Sequence, residues 1–370
     1  MHKPQQQPLD TSRTRRSQAQ TPVTLDTFLP ALAGASLAPG VVDTILAIAD
    51  VARDLSARIG LGALEQAFGA TAGSANRDGD QQKALDLIAD QAFEAALRKV
   101  PVAFLASEER EMPVALDADG RRDAWLAVAI DPLDGSSNID TNVSIGSIFS
   151  ILPAGQPQHC DPEVLFLQPG REQLAAGFII YGPQTTLVLT IGHGVQTFTL
   201  DRRSNSFRLA CEQLQIGSDS SEYAINASNY RHWDDPVRAL IDDYIKGEDG
   251  PHRRNFNMRW IASLVADAYR VLQRGGLFLY PRDQRSGYRN GRLRLVYEAN
   301  PIAMLVEQAG GQATDAHQRL LDVVPVALHQ RTPLVFGSPA NVDTVRRYHQ
   351  APDSYGSRSP LFGRRGLLRI

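Results

Sequence analysis

Strands mixed with helices, rather than strictly alternating with them, predict a layered α+β or α/β fold with mixed sheets. Three observations carry this: helical apolar spacing near the amino end, a strand meander between Gly177 and Leu209, and well-punctuated helices near the carboxyl end. The chain has 370 residues, enough for one large domain or two fused halves with a sizeable core.

From Leu25 to about Ala70 the chain reads as helical, with Val42, Ile45, Leu46, Ile48, Val51 and Leu55 at near-helical spacing. A polar, Gly-rich stretch from Gly69 to Gly79 interrupts it and is expected to be flexible. Helix resumes over Asp80–Val100, where Leu85, Ile88, Ala89, Ala92, Ala96 and Leu97 share one side. Strands are expected at Val102–Leu105, Trp125–Ile130 and Ile145–Leu152. The meander then comprises Phe178–Tyr181, a Gly182-Pro183 turn, Thr186–Ile191, Val195–Leu200 and Phe207–Leu209. Asp234–Lys246 and Asn257–Leu272 read as helices, and Gly275-Gly276 ends the second before a strand at Leu277–Tyr280. A strand is expected at Leu293–Tyr297. After it, Asn300 as N-cap, Pro301 in the first turn and Gly310 at the end punctuate a further helix. Ser338-Pro339 starts the last one. The boundaries expected are a disordered tail over 1–21, an amino-terminal half over 22–220, a carboxyl-terminal half over 221–352 and a second tail over 353–370.

Composition is ordinary for a globular protein: 43% hydrophobic, 21% charged, net charge −3. That charge argues against nucleic acid as a partner. The longest apolar stretches fall far short of the roughly 20 residues that span a bilayer, which excludes a membrane-spanning role. The first 21 residues carry no apolar secretion signal, and their Arg and Ser content matches a transit peptide only loosely, with Asp10 against it. Two cysteines, Cys160 and Cys211, are too few for a disulfide framework, so the expected compartment is the reducing cytoplasm. They read as inert thiols, with a redox switch as the alternative. No P-loop string and no HExxH occurs, and the eight histidines are scattered.

The stretch that carries chemistry is Ala127–Ser137. An apolar strand runs into Asp131-Pro132-Leu133-Asp134-Gly135-Ser136-Ser137. Two carboxylates three apart at a strand's carboxyl end sit where open sheets place ligands, and Pro132 limits how far they swing apart. Gly135 and the serines offer amides and hydroxyls suited to phosphate oxygens. Asp-Pro and Asp-Gly alone are common turn pairs, but the whole string after an apolar strand points to metal-assisted phosphoryl transfer. Glu108-Glu109, after the first strand, and Glu298, before the capped helix, are further acids that could join it; alone, each would read as surface.

These residues resemble a known family. The strings SEE (Ser107–Glu109), DPLDGSSNID (Asp131–Asp140), LQPG (Leu167–Gly170), GGLFLYP (Gly275–Pro281) and NGRLRLVYEANP (Asn290–Pro301) are similar to class I fructose-1,6-bisphosphatase, in the same order from about Gly79 to Gly311. DPLDG alone would also admit the inositol monophosphatase relatives; SSNID and the later strings favour the bisphosphatase.

The resemblance implies an α-β-α-β-α layered sandwich, the sugar-phosphatase fold, and hydrolysis of the 1-phosphate of fructose 1,6-bisphosphate in gluconeogenesis or the Calvin cycle. It implies Mg²⁺, or Mn²⁺, held by Glu108, Asp131, the Leu133 carbonyl, Asp134 and Glu298. Asp86 and Glu109 would orient and deprotonate the attacking water, and Asp80 would belong to a loop closing over the metals. The 1-phosphate would sit near Asp134 on Gly135, Ser136 and Ser137. The distal phosphate would be gripped by Asn226, Tyr230, Tyr280 and Arg292, with Arg259 reaching across a subunit interface of a homotetramer.

Departures from the family pattern accompany the match. Trp260 stands where a Tyr is common, Arg292 stands where animal members carry Lys, and INASNY has one residue more than they do near Asn226. Leu32–Gly40, Trp125-Leu126 and Pro153 replace the animal AMP-site residues, so weak or absent inhibition by that route is expected. Alternative substrates within the same chemistry are sedoheptulose 1,7-bisphosphate, as sole or additional substrate, and inositol monophosphates; a catalytically dead regulator on this fold is opposed by the intact acids.

Overall fold

The structure, a computed structural model, describes residues 23–34, 37–64, 71–75, 81–116, 126–155 and 161–350. The tails expected over 1–21 and 353–370, Asp80, Trp125 and Cys160 lie outside the described residues.

Helices α1 (Leu25–Ala33) and α2 (Val41–Leu61) precede a short antiparallel pair, β1 (Thr71–Ala75) and β2 (Gln81–Lys83), which leads into α3 (Ala84–Leu97). Strands β3 (Val102–Ser107), β4 (Val114–Ala115), β5 (Leu126–Asp134), β6 (Ile145–Pro153), β7 (Ala175–Tyr181), β8 (Thr185–Thr190), β9 (Gln196–Asp201) and β10 (Ser206–Cys211) form one eight-stranded sheet. Its order is β10-β9-β8-β7-β6-β5-β3-β4, antiparallel except where β3 and β5 run parallel. The second half adds β11 (Glu222–Ala224), α4 (Asp235–Ile245), β12 (Asn257–Met258), α5 (Leu264–Arg274), β13 (Leu277–Tyr280), β14 (Leu293–Arg294), α6 (Asn300–Gln308), β15 (Gln312–Thr314), β16 (Arg331–Thr332), β17 (Leu334–Gly337) and α7 (Pro339–Gln350). Five of its strands make a mixed sheet in the order β12-β11-β13-β17-β15, and β14 pairs with β16.

Alternation along the strands assigns the layers. On β7, Ala175, Ile179 and Tyr181 face the core built with α1, α2 and α3, whereas Ala176, Phe178 and Ile180 face α5 and α6. On β13, Phe278 faces α5 and α6, and Leu277 and Leu279 face α4 and α7. Helix, sheet, helix, sheet, helix is therefore the order of layers, as the family resemblance implied. Strands β5 to β8 are buried on both faces, which is why they read as continuous apolar runs.

Several boundaries differ from the sequence reading. The expected helix Leu25–Ala70 is broken before Gly40, whose φ of +84° a side chain would resist, and the described helix ends at Leu61. Within the stretch expected to be flexible, Thr71–Ala75 is a strand. Helix α3 starts at Ala84 rather than Asp80. The expected helix Asn257–Leu272 is instead strand β12, a loop and α5, because Asn257 and Met258 are captured by pairing with Glu222 and Tyr223. Of the strand expected over Leu293–Tyr297, only Leu293–Arg294 pairs; Leu295–Ala299 is a π-helical turn feeding straight into α6. Asn300 consequently lies buried inside helical backbone and does not cap it.

Candidate active site

Asp131 and Asp134 lie inside the end of β5, not beyond it. Residues three apart on a regular strand point to opposite faces. Here Asp131 pairs with Ile148 and Asp134 with Gly146, so three steps on β5 match two on β6. This bulge at Pro132-Leu133 returns both carboxylates to one side. The Leu133 N–H donates to Asp131 Oδ1 (3.1 Å), and the Val265 N–H, in the first turn of α5, donates to Asp134 Oδ2 (3.0 Å). The π-helical turn brings in Glu298, whose Oε2 accepts the Arg294 N–H (2.5 Å).

Carboxylate oxygens of Asp131, Asp134 and Glu298 all lie within 4.8 Å of one another. The three side chains are 3%, 8% and 6% exposed. Glu108, just past β3, forms an ion pair with the guanidinium of Arg294. Burial raises the Asp131 carboxyl well above the usual range, and the charges of Glu108, Asp134, Glu298 and Glu109 add to the rise. Burial also pushes Asp134 up to about 6, against the Val265 N–H, with Glu108 adding to the rise. Glu298 goes up to about 8 through burial and Glu108, against the opposing charge of Arg294. Buried carboxylates that resist ionisation in each other's company, all hard oxygen donors, fit a divalent cation such as Mg²⁺ or Mn²⁺.

A pH dependence follows for protein kept in chelator. A carboxyl with a raised folded pKa binds its proton more tightly folded than unfolded, so stability is lost as pH rises from the ordinary value of 4.5 through about 8. Glu298→Gln removes that penalty. In EDTA its melting-temperature advantage over the parent should be small near pH ~5 and grow towards pH ~8.5; parallel pH curves would refute the assignment.

Beside the acids opens a cleft of 370 Å³, walled by Asp134, Ser137, Asn226, Tyr280 and Arg292 among others. Gly135, at φ +77°, leads into a 3₁₀ turn over Ser136–Thr141. Asp86 is buried in the first turn of α3, which packs on β5, and Glu109 follows Glu108 with its N–H on Ser107 Oγ (3.3 Å). One predicted residue, Tyr230, points elsewhere, while Arg259, expected to cross a subunit interface, lies at the surface. Tyr230 is 39% exposed and donates its hydroxyl to Asp242 (2.8 Å), while its neighbour Asn229 lines the cleft. Arg259 is exposed, with Nη1 on the Met258 carbonyl (3.3 Å). A larger groove of 1060 Å³ between α2 and α3 contains none of the predicted site residues.

Sequence reasoning missed Asp267. Buried on α5, it accepts the Ile261 N–H (3.2 Å) and so folds the 259–263 loop, in which Ala262 takes φ +65°, onto the cleft. Burial raises its carboxyl to about 7. The signal was a lone acid on an apolar helix face. Arg285 and Tyr288 also line the cleft, and the cationic, aromatic run between Tyr280 and Arg292 was their signal.

Comparison with known proteins agrees with this geometry. Residues 37–212 match the family model described as Fructose-1-6-bisphosphatase, N-terminal domain, and residues 216–350 match Fructose-1-6-bisphosphatase, C-terminal domain. Fructose-1,6-bisphosphatase class 1 of Rhizobium meliloti (strain 1021) is 54% identical over 348 residues, 94% of this chain and 99% of that protein. The protein of that name from Rhodopseudomonas palustris (strain HaA2) is 52% identical over 324 residues, 87% of this chain and 92% of its own. A crystal structure of Leishmania major fructose-1,6-bisphosphatase in holo form superposes with a TM-score of 0.83 at 36% identity, covering 90% of this chain and 100% of that one. Fold and site together define a sugar phosphatase of the five-layer kind. The chain belongs to the class 1 fructose-1,6-bisphosphatase family.

Proposed function

We infer that the chain hydrolyses the 1-phosphate of fructose 1,6-bisphosphate, giving fructose 6-phosphate and inorganic phosphate. The observation that carries this is the convergence of Asp131, Asp134 and Glu298, of which Asp134 also lines a cleft that holds Tyr280 and Arg292. Acids for divalent cations beside a cleft that holds a guanidinium suit a substrate with two phosphates.

Glu108, Asp131, the Leu133 carbonyl, Asp134 and Glu298 would hold Mg²⁺ or Mn²⁺. When bound, the ions neutralise phosphate charge and acidify water. Glu109 and Asp86 orient the attacking water and take its proton; Asp80 serves the segment that closes the site. As water oxygen bonds to phosphorus, the bond from phosphorus to the sugar's 1-oxygen breaks, and that oxygen gains a proton. Gly135, Ser136 and Ser137 hold the transferred group through amides and hydroxyls. Asn226, Tyr280 and Arg292 hold the distal phosphate, with the partner subunit's Arg259, in a homotetramer. The location proposed is the cytoplasm; among the described residues no helix is long and apolar enough to cross a membrane.

Sedoheptulose 1,7-bisphosphate and inositol monophosphates are not favoured, since relatives matching nearly the whole chain carry the fructose-bisphosphatase name. Phosphate release from each of the three with Mg²⁺ tests the reading. Fructose 1,6-bisphosphate should give the highest kcat/KM, and a higher value for either rival would displace it.

A further inference from the structure

The run between Tyr280 and Arg292, PRDQRSGYRNG, is tied into a fixed shape. The Asp283 N–H donates to the Tyr288 carbonyl (3.2 Å), the Tyr288 N–H to Arg285 (3.1 Å), and the Gly291 N–H to Tyr288 (3.0 Å). Gly291 sits at φ +85°, where an added Cβ would lie 2.2 Å from the Thr332 backbone, so the turn closes against β16 with no room for a side chain.

This turn brings two guanidinium groups to one ring. The Arg285 Cζ lies 4.1 Å from the Tyr288 centroid and the Arg292 Cζ 5.4 Å from it. Arg292 Nη1 donates to the Tyr288 hydroxyl (2.5 Å), which leaves the phenol proton available to an outside acceptor. Arg285 is steadied by buried Asp283, which it reaches through Nε and Nη2; Nη1 is not used in that pair. Arg285 and Arg292 line the cleft together with Asp134 and Asp267. Two guanidinium groups set at one ring match the two charges and the forked oxygens of a phosphoryl dianion.

Building on the function inferred above, we propose that Arg285 and Tyr288 join Arg292 in a clamp for the second phosphate, and that this clamp favours sugar bisphosphates over 1-monophosphates. The fork of Arg285 and the hydroxyl of Tyr288 bind phosphate oxygens, and Asp283 holds Arg285 in place when the cleft is empty.

The test compares the parent enzyme with Arg285→Gln and Tyr288→Phe, both changes at partly exposed side chains. Fructose 6-phosphate binding is measured by calorimetry in chelator, and turnover of fructose 1,6-bisphosphate and fructose 1-phosphate with Mg²⁺. Arg285→Gln should raise the fructose 6-phosphate Kd and the bisphosphate KM about tenfold, and Tyr288→Phe about threefold, as charge-assisted bonds are lost. The loss on fructose 1-phosphate, which offers the clamp nothing, should be far smaller. Unchanged fructose 6-phosphate binding in both variants, or equal losses on the two substrates, overturns the clamp. Should the parent release no phosphate from the bisphosphate, the inferred function fails, and the fructose 6-phosphate titration still decides the clamp.

Discussion

Asp134→Asn should lower phosphate release from fructose 1,6-bisphosphate by about a thousandfold or more, roughly 4 kcal/mol of barrier. The size of the effect follows from where Asp134 stands. It is one of the three converging carboxylates, it lines the cleft, and it is fixed by the Val265 N–H. Asparagine keeps the shape and an acceptor for Val265, so the fold is spared, but a charge leaves the donor set. In EDTA the variant should melt no lower than the parent, because a buried carboxylate that resists ionisation has been removed. Turnover within about tenfold of the parent would mean that Asp134 holds nothing essential.

The second large effect is on stability. Arg294 is 7% exposed, its guanidinium pairs with Glu108, and its N–H binds Glu298, so it is the cation set against this acidic group. Arg294→Met keeps apolar bulk and removes the charge. Breaking a buried pair from one side costs about 3–5 kcal/mol, because the surviving carboxylate is left uncompensated. Urea unfolding in EDTA should show a loss of that order. Mg²⁺ should restore part of it, and the Mg²⁺-induced gain in stability should exceed the parent's, since a more acidic cluster attracts cations more strongly. A variant as stable as the parent, or one indifferent to Mg²⁺, contradicts this role.

Much of this was legible in the residues. The apolar run before Asp131 announced a buried strand, and the string through Ser137 announced carboxylates beside phosphate-binding amides. The meander strands β7 to β10 fall close to where turn residues and apolar runs placed them. What stayed hidden depends on tertiary contacts. Pairing with β6 creates the bulge that puts Asp131 and Asp134 on one side; Pro132, which cannot donate to the ladder, hints at a break there but does not set the register. Leu295–Ala299 is buried all round, so its apolar run could not separate strand from helix; the π turn that aims Glu298 was invisible for that reason. The 259–263 loop read as helix because its non-helical path is imposed by Asp267, across the first turn of α5.

The most direct measurement is phosphate release from fructose 1,6-bisphosphate by protein stripped with chelator and then given Mg²⁺ or Mn²⁺. Silence in chelator, with release returning on addition of either ion, is the predicted result. Undiminished release in chelator would contradict a reaction built on buried carboxylates gathered around divalent cations.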